Sequence, residues 1–233
     1  MLAKVDKKIS VESLGFEGWT IQDVVLPVLK ICQPTSRVVG VKPGSFYDSQ
    51  TLQAYEKVQG AFAKVAMGRV LFAESLDGGG VVCKSFNRIS PSASVEKPPA
   101  QYCAECPFSK WEGGKPPACK ETLNTVFLLL DGNMVYPYLF SVHGVNYQKL
   151  KAFFSMFVVR NIPVWSKVVE LVLEEEIGQK GRYYVVKPVI IEDANTELQE
   201  LAQHYFQITK AEVIEQSFEK DREQDGVLED FDF

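Results

Sequence analysis

The chain has 233 residues, of which 46% are hydrophobic and 24% are charged, a composition that is ordinary for a globular protein. It contains no run of about 18 apolar residues, which excludes a transmembrane helix, and its N-terminal segment lacks the apolar core of a secretory signal. We therefore expect a protein of a reducing cytoplasm, where clustered cysteines favour metal binding over disulfides.

The net charge of −5 is unevenly distributed along the chain. Residues 211–233 contain nine acidic and two basic side chains, whereas the remaining 210 residues carry a net charge of +2. This pattern predicts a body at 1–210 that can meet an anion and a flexible acidic tail at 211–233 that can compete with it.

The first half of the chain is rich in β-branched residues. The run at 23–33 predicts a strand, in which Pro27 favours an edge position or a bulge. The segment 54–75 predicts one or two strands. Residues 77–121 form a polar insertion rich in glycine and proline, for which no regular structure is expected.

The second half alternates between hairpins and helices. It predicts, in chain order, a hairpin of strands 123–132 and 134–144, a helix at 145–159, a hairpin of strands 164–175 and 181–191, and a helix within 193–208. Several short strands and few helices favour a mainly β, β-rich α+β domain, a barrel or a sandwich, with a metal-binding loop inserted at about 77–121.

Four of the five cysteines lie within 37 positions of the inserted segment. Their spacing is Cys83-x19-Cys103-x2-Cys106-x12-Cys119, and a Cys-x-x-Cys pair can place two thiolates on one ion from a tight turn. A segment this poor in apolar residues needs another source of order, which bound metal supplies. We expect one structural Zn²⁺ on these four cysteines.

Other interpretations of the cysteines stay open. A Cys-x-x-Cys pair can be a redox pair, but this one lies in a loop rather than between a strand and a helix. A catalytic zinc is disfavoured because four thiolates leave no position for water. His143 can substitute as a ligand, and Cys32, in an apolar strand, is expected to be a core residue.

Signatures of catalysis are missing from the sequence. There is no glycine-rich phosphate-binding loop, no Gly-x-Ser-x-Gly elbow and no pair of carboxylates with a distinctive metal-nuclease spacing. We expect a binding protein and not an enzyme.

Cations and aromatic side chains occur together at several places. Proteins that bind single strands without sequence preference combine a basic groove with aromatic platforms. Tyr136, Tyr138 and Phe140 alternate along one strand and are either such platforms or core residues. The clusters in polar loops are stronger candidates. The candidate DNA-binding residues are Arg37, Lys42, Arg69, Lys84, Phe86, Arg88, Lys110, Trp111 and Lys115.

A set of motifs in this order resembles phage-encoded single-stranded-DNA-binding proteins with an OB fold. The motifs are LPVLKICQ, PGSFYDS, VCKS, CAEC, GKPPAC and LLLDG within residues 23–145, and the ending LEDFDF, which is similar to the acidic, Phe-ended tails of such proteins. The departure is the zinc loop, which many of these proteins lack.

The resemblance implies an OB-fold-like barrel that holds single-stranded DNA during replication, recombination and repair in the cytoplasm of a host bacterium. It also implies that the tail recruits the replicative DNA polymerase and the primase-helicase. A homodimer and RNA binding are left open. The alternatives are a zinc-loop adaptor or transcription regulator, and a replication nuclease. The partner-binding residues would be Glu229, Asp230, Phe231, Asp232 and Phe233.

Overall fold

A computed structural model describes residues 17–18, 23–36, 38–73, 80–179, 181–209, 214 and 217. These residues form nine strands and two α-helices, and the prediction of a mainly β, β-rich α+β fold is confirmed. The elements are β1 (Leu29–Ile31), β2 (Phe46–Asp48), β3 (Ala54–Tyr55), β4 (Lys57–Phe72), β5 (Val81–Ser85), β6 (Lys120–Asp131), β7 (Met134–His143), α1 (Gly144–Val159), β8 (Lys167–Gly178), β9 (Gly181–Asp193) and α2 (Thr196–Ile208).

The large sheet is antiparallel and has the strand order β7-β6-β4-β8-β9, with β5 also paired to β4. Strand β4 is its centre: one side pairs with β6 over 60–70, and the other side pairs with β8 over 57–60 and with β5 over 69–72. Because β7 and β9 do not pair with each other, the described strands make an open sheet and do not close the barrel that the resemblance implies.

A small sheet of order β1-β2-β3 lies beside β7 and is joined to it by a parallel bridge between Val28 and Leu139. The predicted strand at 23–33 is therefore shorter in the structure, where only 29–31 are in a ladder. The carbonyl of Pro27 accepts a hydrogen bond from the Leu139 N–H, whereas proline itself has no N–H to donate.

Both faces of the large sheet are covered, each by one helix. Successive residues of a strand point to opposite faces: Phe62 and Phe127 pack with α1, whereas Ala61 and Val126 pack with α2. The ring of Phe62 lies 4.9 Å from that of Phe154 in α1, edge to face. Covering on both faces explains why β6 is buried without a break over 122–129 and carries five consecutive apolar residues at 126–130 rather than an alternating pattern.

The predictions for the second half are largely confirmed. Both hairpins and both helices form, and α2 begins inside the predicted range, where the Asn195 side chain accepts a hydrogen bond from the Leu198 N–H at 2.8 Å. In α1, the helical spacing predicts one apolar face of Leu150, Phe153, Phe154, Phe157 and Val158. Leu150, Phe154 and Phe157 are buried, whereas Val158, near the end of the helix, is 80% exposed. Among the described helices, none has the length and apolar character to cross a membrane.

One strand was not expected. The sequence predicts no regular structure in 77–121, but β5 lies there and pairs with the end of β4. Five residues with two adjacent valines give too short a pattern to stand out from a polar, glycine-rich surrounding. Strand β5 matters because it carries the first clustered cysteine.

Candidate functional site

The four clustered cysteines lie together at one end of β4 and are called here the thiol cluster: Cys83, Cys103, Cys106 and Cys119. Cys83 is in β5 opposite Leu71 of β4, and Cys119 immediately precedes β6. The other two come from the intervening loop. All four are buried at 8% exposure and line one cavity of about 20 Å³.

The loop that brings these sulfurs together has little other core. A single 3-10 turn, Pro107–Ser109, follows Cys106 and buries none of its residues. Two backbone hydrogen bonds position two of the cysteines. The Cys103 N–H donates to Ile89 O, and the Cys119 N–H donates to Phe108 O, both at 2.9 Å. The buried apolar cluster at this place consists largely of cysteine side chains.

The thiols affect one another electrostatically. Burial raises the pKa of Cys83, and the proximity of Cys103 and Cys106 raises it further. Burial also raises the pKa of Cys119 to about 11, with the positive charge of Arg69 acting in the opposite direction and the other three thiols adding to the rise. All four sulfurs therefore share one local environment.

The thiol cluster fits a metal by the type and number of its ligands and by their position around one cavity. In the part of the chain that the structure describes, no three Cys, His, Asp or Glu side chains are already arranged to hold an ion. A tetrahedral zinc site with Zn–S bonds of about 2.3 Å needs its sulfurs about 3.8 Å apart. Four buried thiols around one small cavity have the ligand type and number for this, so metal binding requires the sulfurs to draw inward.

The remaining cysteine and the histidine considered as a substitute ligand lie elsewhere. Cys32 is buried with Val41 and Tyr47, and its thiol lies 3.6 Å from the Val41 carbonyl. This is the predicted core position. The ring of His143 packs 5.5 Å from that of Phe72 and does not line the cavity.

An open groove of about 640 Å³ adjoins the thiol cluster. Strand β4 contributes Lys64 and Met67 to it, β6 contributes Asn124, and the turn after β5 contributes aromatic, amide and cationic side chains. The complete lining is Lys64, Ala66, Met67, Phe86, Asn87, Arg88, Asn124 and Ile214. Its volume is within the range of small-molecule binding sites.

The turn after β5 presents two of these residues. The Asn87 carboxamide accepts hydrogen bonds from the backbone N–H groups of Ile89 and Ser90, at 2.8 and 3.0 Å. Arg88 lies between Asn87 and Ile89 and has φ at 61°, in the left-handed region that is uncommon for residues other than glycine. This strained backbone directs Arg88 toward β4 and β6, where its guanidinium lies 3.2 Å from the Met67 sulfur.

Glu121 links the groove to the thiol cluster. Its carboxylate pairs with Arg88 at 2.8 Å and accepts a hydrogen bond from the Tyr147 hydroxyl at 2.6 Å. Burial alone would raise the pKa of Glu121, but the Tyr147 hydrogen bond and the charges of Arg88, Lys151 and Arg69 lower it overall. Glu121 stands two positions after Cys119, so the start of β6 lies next to the thiol cluster.

Strands β5 and β6 also approach each other closely over β4. At Gly68, an added Cβ would lie 2.5 Å from the carbonyl oxygen of Ser85 and from the amide nitrogen of Asn124. Only glycine leaves the space for these neighbours, so a side chain at residue 68 would displace Ser85 or Asn124.

The structure brings together some of the candidate DNA-binding residues and separates others. Phe86 and Arg88 line the groove, and the Lys84 ammonium lies 5.6 Å from the centre of the Phe86 ring. Arg69 lines the thiol cavity instead. Lys42 is exposed on the segment between β1 and β2, and Arg37 lies outside the described residues.

The exposed tip of the inserted loop carries the other candidates. Trp111 is 70% exposed, and the flanking Lys110 and Lys115 are exposed too. The bridge between Glu112 and Lys115 closes this tip as a tight turn. By contrast, Tyr138 and Phe140 of the alternating aromatic strand are core residues at 4% and 1% exposure.

The predicted tail is described at two positions only. Ile214 is buried and lines the groove, and the hydroxyl of the buried Ser217 accepts a hydrogen bond from the Leu26 N–H at 3.1 Å. Both described positions of the predicted tail are therefore buried against the body. The partner-binding residues 229–233 lie outside the described residues.

Sequence reasoning missed Lys64, Asn124 and Glu121. Lys64 interrupts the apolar run of β4, which is a usable signal for a functional position on a central strand. Asn124 and Glu121 gain their place only through the register of β6 with β4, in which Ala66 is opposite Asn124 and Arg69 is opposite Glu121.

A comparison with protein families identifies a phage lineage. The family described as Pam3 phage gp34-like protein matches residues 1–215. The chain belongs to this family. The match covers every strand and helix described above, the thiol cluster and the groove. Of the described residues, only Ser217 lies beyond it. Searches of curated proteins and of solved structures each found no significant match.

Proposed function

We propose that this gp34-like protein is a sequence-tolerant single-stranded-DNA-binding protein that acts in phage DNA replication, recombination and repair. The observation that carries the proposal is the groove of about 640 Å³, which Phe86 lines together with the cations Lys64 and Arg88. An aromatic face can stack on any base, and flanking cations meet the phosphates without reading sequence.

The electrostatics of the groove suit a ligand that is anionic and exchangeable. Lys64 donates to the Thr209 carbonyl and lies 5.7 Å from the Phe206 ring, while Arg88 pairs with Glu121. These contacts hold the cations in place beside the groove. A phosphate has to compete with them, so we expect moderate affinity and a modest salt dependence.

The exposed tip of the inserted loop extends the proposed path of the strand. Trp111 has no packing role that accounts for an indole at 70% exposure, and it lies between Lys110 and Lys115. Exposed aromatic and cationic side chains at a loop tip are suited to stacking on a splayed base. On this proposal the acidic ending of the chain recruits the polymerase and the primase-helicase.

The test is fluorescence anisotropy of the full chain with labelled oligo-dT, matched duplex DNA and oligo-U RNA across a salt series. Phe86→Ala should weaken oligo-dT binding by about 1–3 kcal/mol because one stacked base is lost. Phe72→Ala is the matched control, since Phe72 is an aromatic at the end of β4 at 38% exposure that does not line the groove.

The charge arm of the same test uses Lys64→Gln. This variant should reduce the slope of log affinity against log salt by about 1, since one phosphate contact is lost. Lys187→Gln removes the same charge from β9, where Lys187 pairs with Glu174, and should leave the slope unchanged. Equal binding to duplex DNA, or no binding to any nucleic acid, would contradict the proposal.

A second candidate function, a protein–protein adaptor, is favoured by one observation. The inserted loop exposes several large apolar side chains: Ile89 at 66%, Tyr102 at 45%, Phe108 at 44% and Trp111 at 70%. Exposed apolar residues of this kind are enriched where proteins meet. In that case Trp111→Ala abolishes capture of a phage replication protein and leaves oligo-dT affinity unchanged.

A further inference from the structure

We propose that the thiol cluster binds one Zn²⁺ ion as a tetrathiolate and that Arg69 supplies the balancing positive charge. Arg69 is thereby reassigned from DNA contact to metal support. The inference is independent of what the groove binds.

The four sulfurs converge on one point from three segments of the chain. The sulfurs come from β5, from the Cys-x-x-Cys turn and from the residue before β6, and they meet around one cavity of about 20 Å³. A cavity of this size holds about one water-sized body. With four sulfur ligands, a structural tetrahedral zinc is the species that fits, and no coordination position is left for substrate or water.

The inserted loop lacks an apolar core that would stabilise its conformation. Between β5 and β6 the chain runs for 34 residues with one 3-10 turn and almost no buried apolar side chain other than cysteine. Such a segment cannot offset its conformational entropy by burial. Metal binding supplies the missing free energy because the site exists only in the folded loop.

A zinc tetrathiolate at this position needs a balancing positive charge. Zinc with four thiolates carries a formal charge of −2, and an uncompensated buried charge is costly. Arg69 is the cation that lines the cavity from β4: its side chain is 17% exposed, and its guanidinium donates to the Ser109 carbonyl at 3.5 Å. Ser109 is three residues after Cys106, so Arg69 also fixes the turn that carries two ligands.

The same guanidinium lies 3.8 Å from the Glu121 carboxylate, which pairs more closely with Arg88. Arg69 therefore contacts this carboxylate and lines the thiol cavity, and it is not among the residues that line the groove. Lys84 of β5 also lines the cavity, but its ammonium lies 5.6 Å from the centre of the Phe86 ring. Lys110 and Lys115 are exposed and do not line the cavity. They are matched controls for charge alone.

The experiment uses the full chain expressed with zinc and purified without chelator. Elemental analysis should find one zinc per chain, and Co²⁺ exchanged into the site should give the d–d bands of tetrahedral cobalt with sulfur-to-cobalt charge transfer. Cys83→Ser should lower the charge-transfer intensity by about a quarter, as one of four sulfurs is lost. Cys32→Ser should leave it unchanged.

Absence of zinc, or disulfide bonds within the cluster in protein purified under reducing conditions, overturns the metal site. Octahedral cobalt spectra without sulfur charge transfer overturn it as well. A normal urea midpoint in each variant excludes misfolding as the cause of a lost signal.

The Arg69 arm measures transfer of zinc to a competing chelator. Arg69→Gln should lower the zinc affinity about 10–100-fold, as is typical when a residue supporting metal ligands is removed. Arg69→Lys should retain part of the affinity, and Lys110→Gln should retain all of it. Unchanged affinity in Arg69→Gln overturns the balancing role. So does loss of oligo-dT binding by zinc-loaded Arg69→Gln, which would make Arg69 a DNA contact.

Discussion

The large sheet and the inserted loop are ordered in different ways. The sheet is covered on both faces, with Phe62 and Phe127 packed against α1 and Ala61 and Val126 against α2. The loop has a few backbone hydrogen bonds and a small cluster made largely of cysteine side chains. Apolar burial stabilises the first region, and on our proposal a metal stabilises the second. A substitution in the sheet should therefore change a different measured property from a substitution in the loop.

The largest expected effect is that of Phe127→Ala in the sheet. The ring is fully buried between β4 and α1, and its removal leaves a cavity in a two-sided core. We expect a loss of about 3–5 kcal/mol in the free energy of unfolding, measured by urea denaturation. The loop should unfold with the body in this variant. A loss below 1 kcal/mol would mean that the core repacks around the missing ring.

Cys106→Ser should affect the loop alone. With one zinc ligand removed, the loop loses its proposed source of order, and limited proteolysis should cut between residues 86 and 118. The urea midpoint of the body should stay near the wild-type value, because the sheet and both helices keep their packing. Coincident loss of the loop and the body would show that the two regions form one cooperative unit.

A smaller effect is expected at the end of one helix. Asn195→Ala removes the side-chain acceptor of the Leu198 N–H at the start of α2. The expected cost is about 1 kcal/mol in the free energy of unfolding. Asn195→Asp keeps an acceptor and serves as the control. Zinc content should not change in either variant, since neither Asn195 nor Leu198 lines the thiol cavity.

The smallest effect on stability is expected for Trp111→Ala. The indole is as bulky as any side chain in the core, but it is 70% exposed, so its removal should change the free energy of unfolding by less than about 0.5 kcal/mol. Paired with Phe127→Ala, this variant separates a ring that stabilises the fold from one that is available for binding. A large loss of stability would place Trp111 in a core and end its candidacy as a stacking residue.

Much of the fold follows from local sequence. The hairpin of β6 and β7 has its turn residues, α1 has its apolar spacing, and α2 has its cap, so each element carries its own signal. Strand β5 does not, because its conformation depends on pairing with β4. The extent of β1 likewise depends on the position of β7, which is more than 100 residues away in sequence.

The candidate site divides in the same way. Cysteine spacing is a local pattern, and the structure places those four side chains around one cavity. The groove is not local: Lys64, Phe86 and Asn124 meet only because β5 and β6 both pair with β4. Composition likewise could not tell that Arg69 points to the cavity while Arg88 lines the groove, since both belong to basic and aromatic clusters of the same kind.

The position of β4 also governs how the chain is assembled during synthesis. Its first partners, β5 and β6, follow within about 60 residues, but β8, which pairs with residues 57–60 of β4 on the other side, begins at Lys167. At a translation rate of about 5–20 residues per second, β4 waits roughly 5–20 seconds for β8 after its own last residue is made. During this interval Val58 and its neighbours present an open strand edge, to which chaperones or other nascent chains can bind. Ribosome-bound chains arrested before β8 should therefore be the species of this protein that is most prone to aggregation.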